Sequence, residues 1–235
     1  MTAIAIFVKS PGLSPVKTRL ARSLGPDSAT DFHRQAAACV AAAARAAMPR
    51  LVPYWAVAEK QGLSDELWQE FPGLWQGEGE LGCRMARIYA ELLARHGRVL
   101  LIGADVPQAN AALLLRAAKM IDASKGPYVL GPAGDGGFWL LGGARPVPPA
   151  LWRSVPYSRN DTCAHMARAL RLCGTVAWLP MLTDADEISD LPFVLAALRA
   201  TDPCLPEQAI LAHWLSTVVR VKVPETQHPA TNVTP

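Results

Sequence analysis

Short apolar runs alternate with longer stretches whose apolar residues recur at helical spacing, and the two kinds succeed one another along most of the chain. Residues 3–8 are continuously apolar up to a Lys-Ser-Pro-Gly turn signal, which predicts a strand buried on both faces. Further strands are predicted over 52–58, 99–104, 128–131, 138–141 and 176–179. Between them, 28–48 is Ala-rich and follows a Pro-Asp cap signal, while 81–95 keeps its apolar residues at a helical period. Helices are also predicted over 110–123, capped by Asn110, and over 161–172, 190–200 and 203–219, with Asp190 reading as an N-cap. This alternation predicts an α/β fold, a mostly parallel sheet flanked by helices on both faces, in a single domain over 1–221. Sheets of this kind take their ligand at the carboxyl ends of the strands. Residues 222–235 hold little apolar content and predict a disordered tail.

Composition narrows the class. Of the 235 residues, 51% are apolar and 18% charged, which excludes a disordered chain. A net charge of 23 − 20 = +3 is too small for a nucleic-acid partner. No run of 18 apolar residues exists, and the most apolar stretch, 35–48, is broken by Arg45, so no membrane span is expected. The N-terminus carries no basic leader or signal-type cleavage site, and the five cysteines form an odd, scattered set without Cys-x-x-Cys. A reduced, cytoplasmic setting is the expectation, with neither a disulfide framework nor a zinc ribbon. The charge distribution is more telling than its total. Lys9, Lys17, Arg19 and Arg22 fall within the first 26 residues, where no acid occurs. Such a segment is either an anion site or a solvated basic face.

Four local patterns carry candidate chemistry, each with a plainer reading beside it. Lys9-Ser-Pro-Gly12 and Pro15-Val-Lys17-Thr18-Arg19 follow the first strand and lead into a short helix. Gly12 permits close backbone approach, and Lys17 and Arg19 are donors suited to a pyrophosphate; neither a P-loop nor a dinucleotide fingerprint is present, and a structural basic loop is as good a reading. Gly103-Ala-Asp105-Val-Pro107 puts a carboxylate at the ligand edge, able to hold a hard divalent ion or to cap the next helix. Asp184-Ala-Asp186 places two carboxylates on one side of an extended segment, although acidic loops before helices are common. Gly131-Pro-Ala-Gly-Asp135-Gly136-Gly137-Phe is either a substrate-lining loop or an ordinary Asp-Gly hairpin turn. Cys163 and His165 lie two apart on a predicted helix and face different ways, and His33, His96 and His213 read as surface or interhelix residues. Of the seven Trp, Trp139 and Trp152 fall near the candidate site.

Taken in order, with Gln76-Gly-Glu-Gly79-Glu80-Leu-Gly82 opening a helix between the first and second patterns, the set resembles the nucleotide-diphospho-sugar transferase superfamily over roughly residues 4–200. More narrowly it is similar to the small glycosyltransferases of radical-SAM and arsenosugar-type gene neighbourhoods. The resemblance implies a GT-A-like, Rossmann-like fold and transfer of a sugar from a nucleotide-diphosphate donor to a small-molecule acceptor. It assigns Lys9, Gly12, Lys17, Thr18, Arg19, Gly79 and Gly82 to the nucleotide diphosphate, and Asp105, Asp184 and Asp186 to Mg²⁺ or Mn²⁺. Asp135, Gly136 and Gly137 line the sugar or acceptor side, with Asp135 holding or deprotonating the acceptor hydroxyl beside Asp105 in the reacting centre.

The sequence departs from the family pattern in places. Glu80 replaces the usual Asp, Val155-Pro-Tyr-Ser158 replaces Pro-Trp-Ser-Thr, and Val106-Pro-Gln108 replaces Ser-Pro-Asp or Cys-Pro-Asp. The last two departures, Ser158 included, fall where acceptor contacts are expected, so they bear on the acceptor rather than the donor. Two other readings share these motifs: a nucleotidyltransferase similar to the phospholactate guanylyltransferases, and a non-catalytic nucleotide-sugar-binding protein.

Overall fold

Ile4, Ile6 and Val8 alternate with Ala3 and Ala5 along the first strand, and each set is buried in a different hydrophobic cluster, so the strand is covered on both faces. The computed structural model describes residues 1–121 and 126–222. The strands are β1 (Thr2–Val8), β2 (Leu51–Val57), β3 (Gly73–Trp75), β4 (Val99–Gly103), β5 (Tyr128–Pro132), β6 (Phe138–Gly143) and β7 (Val176–Trp178). They form a seven-stranded sheet in the order β3-β2-β1-β4-β6-β5-β7. All pairings are parallel except those of β6, which runs against both β4 and β5.

The helices are α1 (Thr18–Leu24), α2 (Pro26–Ala46), α3 (Leu81–His96), α4 (Ala111–Ile121), α5 (Pro149–Ser154), α6 (Thr162–Arg171), α7 (Leu191–Arg199) and α8 (Pro206–Lys222). The cores of α2 and α4 join Ile4, Ile6 and Val8 on one face, while α3, α5 and α6 join Ala3 and Ala5 on the other. A third cluster packs α1, α7 and α8 against the outer side of α2 through Leu20, Phe32, Leu191 and Leu211. Helix α2 is therefore buried between sheet and helices, and its alanines let both neighbours approach closely. The single-domain α/β architecture with a mostly parallel, helix-flanked sheet is as the periodicity predicts.

The differences are local. β3 and α5 were not expected: one is a three-residue edge strand and the other a six-residue helix begun by Pro149, both too short to show a period. Asn110 caps α4, accepting a hydrogen bond from the Leu113 amide at 2.9 Å. Asp190 does not cap α7 with its side chain; it turns back to accept from the amides of Asp186 and Glu187 at 3.0 and 2.7 Å. Lys222 closes α8, and the remainder of the expected tail lies outside the described residues, as do positions 122–123 of the helix expected over 110–123. No helix among the described residues is long and apolar enough to cross a membrane, and all five cysteines are free thiols.

Because Ala43 is fully buried on the sheet side of α2, Ala43→Leu overpacks that layer. Chemical denaturation should show a loss of about 1–3 kcal/mol, with the sheet retained by circular dichroism.

Candidate functional site

β1 has β2 on one side and β4 on the other, so the chain reverses its direction of winding there and opens a crevice beyond the carboxyl ends of those strands. A cavity of about 660 Å³ occupies this position. The loop leaving β1 brings Lys9, Lys17, Thr18 and Arg19 to its wall, and the loop leaving β4 brings Asp105. The β5–β6 connection adds Asp135 and Gly137, and the segment after β7 adds Asp184 and Asp186.

The root of the first loop is pinned. His33 of α2 donates from Nε2 to the Lys9 carbonyl at 2.9 Å, Glu59 accepts from the Ser10 amide at 2.8 Å, and Trp68 donates from Nε1 to Ser10 Oγ at 2.9 Å. A Cβ on Gly62 would stand 2.2 Å from Ser10 Oγ, which explains a glycine there. Burial, followed by the charges of Lys17 and Lys9, lowers the His33 pKa, so the ring is neutral at physiological pH. Farther out, Lys17 adopts φ 44 and ψ 47, the left-handed region that side chains with a Cβ seldom occupy.

That conformation directs the Lys17 ammonium between two carboxylates, 2.7 Å from Asp186 Oδ1 and 3.3 Å from Asp105 Oδ2. Its side chain is 7% exposed, against 38% and 37% for the two aspartates. Burial opposes the charge on Lys17, but Asp105 and Asp186 outweigh it and hold its pKa above the usual lysine value. Burial likewise opposes the Asp105 charge, and Lys17 reverses this to hold the carboxyl below the usual carboxylate range. Arg19 extends the cluster outward, with Nη1 3.8 Å from Asp186 Oδ2. Asp184 has no such cation among the described residues. Burial, then the charges of Asp105, Asp135 and Asp186, push its carboxyl up to about 7.

Backbone tethers set these carboxylates. A Cβ at Gly103 would meet Asp105 Oδ1 at 2.5 Å, so the aspartate lies back over a residue without a side chain. The following turn is held from two sides. Gln108 donates to the Thr183 carbonyl at 2.6 Å, and Gln208 of α8 donates to the Pro107 and Ala109 carbonyls at 2.9 and 3.2 Å. The Ala185 amide donates to the Asp105 carbonyl at 3.3 Å, and buried Ala185 lies between two cavity-lining aspartates, as an extended segment requires.

At the β5–β6 connection, Asp135 Oδ1 accepts from the Gly137 amide at 2.7 Å, and the Ala133 amide donates to the Gly137 carbonyl. Gly136 has φ +88, and a Cβ there would fall 1.9 Å from the Asn160 carbonyl oxygen. The turn is thus pressed onto the loop carrying Tyr157, Ser158 and Arg159, all three of which line the cavity.

The remaining expected residues lie elsewhere. Gly12 borders an adjoining depression that shares Pro15, Val16 and Thr18 with the cavity, and Gly79, Gly82 and Gly136 do not line the cavity. Gly82 is a packing residue, since a Cβ would meet Tyr157 Cε2 at 2.6 Å and the Trp152 carbonyl at 2.8 Å. Trp139 lines the cavity and Trp152 does not. His33 is neither a surface nor a purely interhelix residue but part of the wall; it occupies the buried stripe Ala29, Phe32, Ala36, Ala37 and Val40, which was its available signal. Gln76, which opens the Gln76–Gly82 motif but was given no role there, also lines the wall, as does Arg84, which lies in no motif. Gln76 donates to the Val8 and Ala56 carbonyls and accepts from Arg84 Nη1.

Among the described residues no group of three His, Cys, Asp or Glu side chains could hold a metal ion by itself. The donor chemistry nevertheless fits a hard divalent ion bound jointly with a ligand. Magnesium is commonly held by one or two carboxylates, with phosphate oxygens and water completing the shell. Asp105 and Asp186 already face one cation, the Lys17 ammonium, and Asp184 adds further negative potential.

The family model described as "Uncharacterized protein conserved in bacteria (DUF2064)" matches residues 37–159. No curated protein sequence matches the chain. Among solved structures, a provisionally assigned nucleotide-diphospho-sugar transferase from Desulfovibrio desulfuricans G20 superposes with a TM-score of 0.80 at 22% identity, covering 94% of this chain and 97% of the other. A nucleotidyl transferase from Methanothermobacter thermautotroptrophicus gives 0.56 at 14% identity, covering 86% and 99%. The 4-diphosphocytidyl-2C-methyl-D-erythritol synthase of Anaerococcus prevotii DSM 20548 gives 0.54 at 8%, covering 84% and 96%. At these identities the likeness establishes the fold alone, an α/β architecture that this chain shares with those transferases.

Asp184 yields a prediction of definite sign. A carboxyl whose folded pKa is about 7 destabilises the native state increasingly as pH rises from its unfolded value near 4 through 7. Asp184→Asn should therefore melt with wild type near pH 4. At pH 8 it should melt about 2–4 °C higher, taking roughly 1 kcal/mol after solvent screening. Thermal melts across this range check both arms.

Proposed function

The chain belongs to the DUF2064 family, and on that premise and the geometry of its cavity we propose that it transfers a sugar from a nucleotide-diphosphate donor to a small-molecule acceptor with the help of Mg²⁺ or Mn²⁺. The observation that carries this reading is the convergence of Lys9, Lys17 and Arg19 with Asp105 and Asp186 on one cavity at the winding reversal of the sheet. A cationic wall with paired carboxylates is suited to one diphosphate and one divalent ion.

In this reading the acceptor hydroxyl attacks the anomeric carbon, an O–C bond forms, and the bond from that carbon to the diphosphate oxygen breaks. Lys17 and Arg19 face the negative charge that grows on the departing nucleoside diphosphate. Stabilising that charge with preorganised groups is the largest contribution available to this site. Asp105 and Asp186 would hold the divalent ion, which when bound supplies Lewis-acid neutralisation of the diphosphate. In this reading Asp135, which lines the same cavity, takes the acceptor proton. One of its oxygens is fixed by the Gly137 amide, and the other is free to accept from a hydroxyl. Tyr157, Ser158 and Arg159 form the neighbouring wall and bear on which acceptor fits.

Products decide the reaction class. Incubation with UDP- and GDP-sugars, Mn²⁺ and an acceptor panel should release free nucleoside diphosphate, resolved by anion-exchange chromatography. Asp105→Asn should lower kcat by about 10²–10³, the usual effect of removing one such electrostatic group. Pyrophosphate released from a nucleoside triphosphate would instead establish the nucleotidyl transfer seen in the name of the Methanothermobacter relative. Tight nucleotide binding with no turnover would leave a binding protein.

A further inference from the structure

The function proposed above assigns Lys17 to a diphosphate and Asp105 with Asp186 to a divalent ion, yet these three groups bond to one another. We propose that Lys17 is an exchangeable counter-cation: its ammonium occupies the cation position between the two carboxylates and must leave it before a divalent ion can bind there. This rests on the preceding reading of the site, which names both incoming ligands.

The charges permit no simpler sharing. An ammonium 2.7 Å from one carboxylate and 3.3 Å from the other lies within a few ångströms of any ion those carboxylates could ligate together. Like charges at that separation repel strongly in a partly buried site. More than a third of each aspartate side chain is exposed and both line the cavity, whereas Lys17 is almost wholly enclosed, so an ion approaches the aspartates from the cavity side. A buried ammonium can abandon two carboxylates only for another anion. The diphosphate is that anion, and the diphosphate brings the oxygens that complete the coordination of the ion. Either ligand alone therefore leaves a charge uncompensated. With Arg19 counted, the two aspartates and two cations are already balanced. A divalent ion together with the doubly charged diphosphate of a sugar nucleotide preserves that balance, with Lys17 passed from aspartates to phosphate.

The loop suits such a move. Lys17 is held at φ 44, a conformation that is costly for a residue with a Cβ and that its present contacts maintain, and it lies just beyond a segment containing Pro11, Gly12 and Pro15. Arg19 is 55% exposed and only 3.8 Å from Asp186, so a second cation stays at the mouth throughout. Metal and nucleotide should accordingly bind with reciprocal positive coupling.

The test follows binding of Mn²⁺ through the electron paramagnetic resonance of the free ion, with and without UDP or GDP. Wild type should bind Mn²⁺ at least tenfold more tightly with the nucleotide than without. Lys17→Met should bind Mn²⁺ alone at least tenfold more tightly than wild type does, and the nucleotide should then add less than threefold. Equal or weaker binding of Mn²⁺ alone by Lys17→Met would overturn the proposal. If UDP and GDP leave wild type unchanged while Lys17→Met still gains, the transferase reading fails and the counter-cation role stands. Should Lys17→Met not fold, ¹⁵N-lysine spectra of wild type decide. The Lys17 ammonium resonance should shift with Mg²⁺ plus UDP or GDP and not with Mg²⁺ alone; no shift with both would overturn the exchange.

Discussion

An ammonium group sealed from water must be compensated by charge, and here the two compensating carboxylates come from distant parts of the chain. Lys17 reaches Asp105 across 88 residues and Asp186 across 169. The sheet order makes this possible. β1 and β4 are neighbours, so the loops leaving them face each other, and β7 lies parallel to β5 at the far edge with its following segment carried inward. An isolated bridge between Ala133 and Leu182 continues the β5–β7 pairing past both strand ends. The Ala185 amide then meets the Asp105 carbonyl. The near-neutral total charge of the chain conceals this arrangement, a cationic N-terminal loop closed against acids from the middle and the end.

A second theme is the use of glutamine at the places where β-ladders run out. Buried carbonyls beyond a strand end need donors that no neighbouring strand supplies. Gln76 serves Val8 and Ala56, at the tips of β1 and β2; Gln208 serves Pro107 and Ala109, in the turn beyond β4; and Gln108 serves Thr183. Each is buried, and each is neutral, so it fixes backbone without adding charge to a cavity where charge is already balanced. These hydrogen bonds tie down the main chain from which the walls are built.

The sequence discloses whatever has a period or a punctuated turn. The apolar run ahead of Lys-Ser-Pro-Gly, the Gly-x-Asp after another apolar run and the Asp-x-Asp on an extended segment all appear where the alternation of strand and helix puts them. β3 and α5 escape because three or six residues cannot display a repeat. His33 escapes because it sits in an alanine stripe that reads as core, and only its failure to match that stripe gives it away. Gly82 and Gly136 illustrate the opposite difficulty. Each stands inside a motif, but each is required by a neighbour, Tyr157 in one case and Asn160 in the other, that no local pattern reveals. The ion pairing of Lys17 was equally hidden. Spacing identifies a cation and two acids, but their bonding to one another depends on a separation of 169 residues that only the fold closes.

That separation has a consequence for the chain as it is made. Synthesis runs from the N-terminus, and non-local contacts must wait for their later partner. The Lys17 loop leaves the ribosome long before the segment carrying Asp186. Until then Lys17 has only Asp105 of its two carboxylate partners. A nascent chain consequently cannot assemble this pocket before the residues around Asp186 have emerged.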